Sequence, residues 1–294
     1  MNMTQDTAFH AYTVDDVMLE TDRIIQKAHH EHDRIGYFAC LYRHVTYAVK
    51  EGIAQNIFEN GQRIAGLDVM FANRYFEALD YWQRGALAVQ SWQLAFDASQ
   101  RPGRIVMQHM FLAMNAHINL DLSIATARTF PGDELAGVQN DFNLMNAVLA
   151  KLVNHITGDL SHIWPILRLL HFLMNGEDER LFSYDMAAER ARAWATAQRL
   201  AYMTWDEQEA EIRRMDAQVV QTAQSVLNPR FPVNLGITVF HWLQRETIPQ
   251  IINTLSDERL HQYLFTDLTD DEAEHAALDR QAAESDRPPV PEPD

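Results

Sequence analysis

Residues 114–122 read MNAHINLDL, inside the longer run MQHMFLAMNAHINLDLSIATA over 107–127. That run carries one charged side chain, Asp121. Its length and pattern predict a helix over about 104–129, apolar all round and ended by Phe130-Pro131-Gly132. A helix of that kind belongs at the centre of a bundle, so the fold class expected is all-α. Asn115, His117, Asn119 and Asp121 nevertheless crowd into seven positions. Polar groups removed from water cost free energy unless they are paired. These four therefore either tie the core together or line a site.

Outward from this helix the chain keeps reading as helix. Thr13 and Asp16 form a capping-box start for TVDDVMLETDRIIQKAHHEHDR, and Thr204 with Glu207 forms another before 205–227. Further helices are expected in YFACLYRHVTYAVKEGI, GQRIAGLDVMFANRYFEALDYWQRG, ALAVQSWQLAFDAS and ELAGVQNDFNLMNAVLAKLVNHITGDL, over 184–203, and over about 234–255. Only FPVNLGITVF hints at a strand, and one strand makes no sheet. No fixed-period repeat, Gly-rich phosphate loop or G-x-S-x-G elbow is present, so no nucleotide cofactor is signalled. The expected organisation is a flexible 1–9, one compact all-α domain over 10–258, and an acidic, partly disordered tail over 259–294. The last residues, ESDRPPVPEPD, are Pro-rich and acidic.

The formal net charge is −17, with nine acidic and two basic residues in 269–294. That balance disfavours electrostatic binding to nucleic acid or to an anionic membrane. A single cysteine, Cys40, excludes an intramolecular disulfide and argues against a Cys-based metal centre. No apolar run reaches the ~18 residues of a membrane span, and the opening MNMTQDTAFHAYTVDD lacks the segments of a secretory leader. A cytoplasmic protein is expected. The sequence does not fix its oligomeric state.

Within the central helix His117 and Asp121 stand four apart on one face, continuing a line from His109. Such a pair either shares a metal ion or forms a hydrogen-bonded couple in which Asp fixes the imidazole tautomer. Asn115 and Asn119 make their own pair half a turn round. HITGDLSH places His155, Asp159 and His162 on one face, a weaker candidate for zinc. HHEHD, 29–33, ends an amphipathic helix and reads as a solvated face. Asn73 and Arg74 interrupt the apolar VMFANRYFEAL, and an Arg there wants a buried carboxylate or a bound anion. Asp121 and Asp141 are its candidate partners. DFNLMN, with Asp141 and Asn146, repeats the theme of polar residues on an apolar helix. Trp82, Trp92, Phe96, Trp164 and Trp194 read as core packing.

NAHINLDL, with the upstream FANRYFEALD and SWQLAFDA and the downstream DFNLMN, resembles domain-of-unknown-function family 5995, whose members are bacterial and fungal. The resemblance covers about 35–255 and implies an all-α fold with a shared polar centre, but no named activity. It maps candidate positions onto Arg74, Asn115, His117, Asp121, Asp141 and Asn146. The family pattern has Pro where this chain has Ser123, a position that would bend the helix after Asp121. A looser likeness is to zinc-dependent phospholipase C enzymes, through His117/Asp121 and His155/Asp159. Their N-terminal Trp ligand has no counterpart here.

Two functions are expected from these residues. One is a hydrolase or lyase acting on a small anionic or lipid-like substrate. His117 would be acid/base or ligand to a divalent metal, Asp121 would orient it or share the metal, and Arg74 would hold the anion. Asn115, Asn146, Asp141, Asn73 and Tyr75 would contact the substrate. The alternative is a non-catalytic helical protein that binds an apolar small molecule or a protein partner, with the same polar residues as a structural network.

Overall fold

The computed structural model describes residues 9–86, 89–149, 186–229 and 246–263, with positions 234, 235, 237, 238 and 241 between. Among the described residues there is no strand, and the architecture is all-α. α1 (Val14–Glu31) opens on the expected box: the Asp16 N–H donates to Thr13 Oγ1, and the Thr13 N–H returns to Asp16 Oδ2. It closes on His32, whose positive φ of 56° turns the chain back into α2 (Ile35–Ala54). The two pack closely because residue 36 is Gly, where a Cβ would sit 2.8 Å from both Ala28 and Ile252. α3 (Gly61–Gln83) and α4 (Gln90–Ser99) follow.

The central helix comes next. It runs as α5 (Val106–Ala116), a π turn (His117–Leu122) and α6 (Ser123–Thr129). Its contacts run to α2, α3, α4 and the two long helices that follow, so it is enclosed as its composition predicts. Periodicity gave no sign of the π turn, in which each N–H reaches five residues back rather than four. The hydroxyls of Ser123 and Thr126 donate back to the Leu120 and Leu122 carbonyls of the turn. Ser123 keeps helical angles of −65° and −38°, and the helix continues through it without a break.

A 3-10 turn (Gly132–Val138) leads into α7 over 139–149. Then come α8 (Met186–Leu200), α9 (Trp205–Leu227) and α10 (Ile248–Leu255). α9 starts at its expected box, the Thr204 N–H donating to Glu207 Oε2 at 2.8 Å. In FPVNLGITVF the described positions 234, 235, 237 and 238 are helical. A final 3-10 turn, Glu258–Tyr263, continues past residue 258 and packs on α2. There His44 Nδ1 meets His261 Nε2 at 2.7 Å, and the His261 ring stacks on Tyr47 at 3.7 Å. The HITGDLSH histidines, Trp164 and the end of the acidic tail lie outside the described residues. No described helix is long and apolar enough to cross a membrane.

Candidate functional site

Asp121 sits in the π turn with none of its surface exposed. Arg74, from α3, donates Nε–H to Asp121 Oδ1 at 2.6 Å. Trp92, from α4, donates Nε1–H to Oδ2 at 2.7 Å. Burial by itself pushes the carboxyl pKa up, but the Arg74 charge and the His117 and Trp92 contacts outweigh it and hold it below the usual range. Asp121 is therefore an anion with both oxygens engaged, joining three helices. Of the two candidate partners of Arg74, the structure selects Asp121.

His117, one turn earlier, is 3% exposed. Its Nδ1 lies 3.5 Å from Asp121 Oδ2 without meeting the geometry of a hydrogen bond. Among the described residues neither ring nitrogen has a hydrogen-bond partner. The ring stacks on Phe71 at 3.6 Å, and the Tyr42 ring meets it edge-on at 4.8 Å. Burial drives the His117 pKa down further than Asp121 draws it up, and the Arg74 and Arg190 charges add to the fall. The imidazole is neutral at pH 7. The nearby carboxylate favours the proton on Nδ1, which leaves Nε2 as a bare acceptor.

His117 walls a cavity of about 40 Å³ together with Phe38, Tyr42, Met114, Ile118 and Arg190. A second cavity, about 30 Å³, shares Val45, Phe71, Leu149 and Arg190 with the first and adds Asp68. Among the described residues the Tyr42 hydroxyl and Asp68 Oδ2 are buried without partners, as His117 is. Burial raises the Asp68 carboxyl to about 7. Arg190 is itself buried. Its Nε–H donates to Asn146 Oδ1, and its guanidinium lies 5.1 Å from the centre of the Phe142 ring.

The remaining expected residues lie elsewhere. Asn115 donates to the Val219 carbonyl at 2.9 Å and accepts from Asn119 at 3.0 Å, tying the central helix to α9. Both line a polar groove of about 220 Å³ in which Glu211 pairs with Arg199 across it and with Arg214 along α9. Asp141 accepts from the Glu59 and Asn60 N–H groups at 2.7 and 3.0 Å, closing the loop that starts α3. Asn73 grips the Ala11 backbone, accepting from its N–H at 2.8 Å and donating to its carbonyl at 2.9 Å. Tyr75 is buried against Phe38 and Trp92, its hydroxyl unpartnered. His109 faces a separate cavity of about 20 Å³, and burial lowers its pKa to about 3.

Sequence reasoning passed over Trp92 as a donor, and it missed Tyr42, Asp68 and Arg190. Asp68 carried the same signal that singled out Arg74: a charge inside an apolar helical stretch, here LDVMF. Among the described residues no group of three or more His, Cys, Asp or Glu side chains is placed to hold a metal ion. At the His117–Asp121 pair each carboxylate oxygen already accepts one N–H, from Arg74 and from Trp92.

The sequence model of a family of unknown function (DUF5995) matches residues 14–229. The chain belongs to this family. No curated protein and no solved structure matches it. The DUF5995 region begins with α1 and ends just past α9, so it holds the Arg74–Asp121–Trp92 cluster and the residues named here on both cavities. The His44–His261 contact joins this region to residues beyond it.

Proposed function

We propose that this DUF5995 chain is a helical binding protein for a small molecule. Its pocket is the pair of adjoining cavities beside His117, and the Arg74–Asp121–Trp92 cluster is the frame that holds the walls. The observation that carries this reading is the set of buried, unpartnered polar groups on those walls: His117, Tyr42 and Asp68. Nearly all buried polar atoms in folded proteins are paired, so such a cluster beside open space calls for an occupant. A water needs about 10–15 Å³, so the two cavities have room for a few waters or one compact molecule of similar bulk. The walls are otherwise apolar and aromatic, which suits a ligand with an apolar body and one polar end.

The hydrolase or lyase reading is weaker on the same geometry. It needs Arg74 for a substrate anion and Asp121 to orient His117 or share a metal with it. Arg74 is bonded to Asp121, and both Asp121 oxygens hold N–H donors.

Methyl NMR tests the proposal with alcohols from methanol to propanol as probes. Saturable shifts confined to the methyls of Val45, Ile118, Leu122 and Leu149 are the expected result. They should be lost in Val45→Met, which extends a side chain into both cavities. Shifts spread over the surface, or none at saturating alcohol, would overturn it.

A further inference from the structure

The unpartnered wall groups share a chemical sign. Nε2 of a neutral His117 protonated on Nδ1 accepts a hydrogen bond and cannot donate one. An ionised Asp68 is also acceptor-only, and the Tyr42 hydroxyl serves in either sense. A ligand that satisfies the first two must bring N–H or O–H donors. It meets a carboxylate oxygen at one end and the aromatic rings of Phe38, Tyr42 and Phe71 along its length.

We infer that the preferred ligand is a small primary amine, bound as its ammonium ion with Asp68 as the residue that selects it. The inference rests on the binding role proposed for these cavities. An ammonium group offers three donors and no acceptor, the complement of this wall. Aromatic faces add cation–π attraction in a site shielded from water. Arg190 is the cation already on these walls, and its position limits its opposition: Nε is engaged by Asn146 and the guanidinium lies over Phe142. Asp68 has no ion-pair partner among the described residues. With burial raising its carboxyl to about 7, it is ready to ionise when a cation arrives.

The test titrates methylamine, ethylamine and propylamine against the alcohols of the same shape, reading the same methyl shifts in the full chain. Amines should bind about tenfold more tightly than their alcohols, the worth of one charge-assisted hydrogen bond. Asp68→Asn should weaken the amines and bring the two series within about twofold of each other. The variant should fold, because it removes an unpaired buried carboxylate and keeps its shape; a thermal melt beside each titration checks this. Equal binding of amines and alcohols in the wild type overturns the inference and leaves the binding role standing. An amine preference that survives Asp68→Asn in a folded variant also overturns it. Binding of neither series overturns the role and the inference together.

Discussion

Replacing Arg74 by Met should leave Asp121 as a buried carboxylate without its cation. The side chain of Arg74 is 18% exposed and that of Asp121 1%, so the charge left behind is the one that water cannot reach. Breaking a fully buried ion pair from one side costs about 3–5 kcal/mol. Trp92 still donates to Oδ2, and Arg74 has some solvent, so the low end applies, about 3 kcal/mol. At about 2–4 °C per kcal/mol for a chain approaching this size, the melting temperature should fall by about 6–12 °C. Asp121→Asn alone should cost less, because the stranded Arg74 turns toward solvent. Arg74→Met with Asp121→Asn should recover much of the single-mutant loss, since no charge remains. In the wild type the Asp121 pKa is lowered on folding. The pair's contribution is therefore present above the unfolded value of about 4 and is lost as pH falls through the lower folded value. Urea unfolding followed by circular dichroism measures all three variants. A loss below about 1 kcal/mol for Arg74→Met is the range of an exposed pair and would refute the framing role.

Three further outcomes follow from other contacts. Trp92→Phe keeps the ring but removes the N–H on Asp121 Oδ2, and it should lower stability by about 1–3 kcal/mol in the same urea series. Asp141→Ala should cost about 1 kcal/mol, because the Glu59 and Asn60 N–H groups lose their acceptor; faster amide exchange at the start of α3 checks this. His261, held against His44 and Tyr47, has its pKa lowered to about 4 by burial and by the charges of His44 and Arg43, with Glu258 opposing. The neutral form is favoured in the docked state, so docking is at full strength above the unfolded value of about 6.5 and weakens as pH falls toward 4. An NMR titration of His261 should therefore show a midpoint near 4, and a midpoint near 6.5 would mean that the 3-10 turn is not docked.

The fold was legible in the sequence because its signals are local. Capping boxes at Thr13 and Thr204, and a central run with no charged stripe, each specify helix and burial without reference to the rest of the chain. The pairing of Arg74 with a buried carboxylate followed from the same reasoning, since a charge in an apolar helix must be compensated. Which carboxylate was not legible. Asp121 and Asp141 looked alike in sequence, and only the packing of α3 across the π turn separates the core partner from the loop cap. Asn73 and Asn115 were equally opaque, because their partners are backbone groups of Ala11 and Val219, far along the chain. The π turn left no mark in the residue pattern. Nor did the cavities, which lie between α2, α3, the central helix, α7 and Arg190 of α8.

The most direct test is a crystal structure at atomic resolution, with the density around His117 Nε2, Tyr42 Oη and Asp68 Oδ2 as its readout. The binding account predicts a non-protein molecule larger than water in hydrogen-bond contact with at least two of these atoms after soaking in propylamine. Cavities that stay empty or hold water alone, or side chains that close over them and pair the three groups with protein atoms, would contradict it.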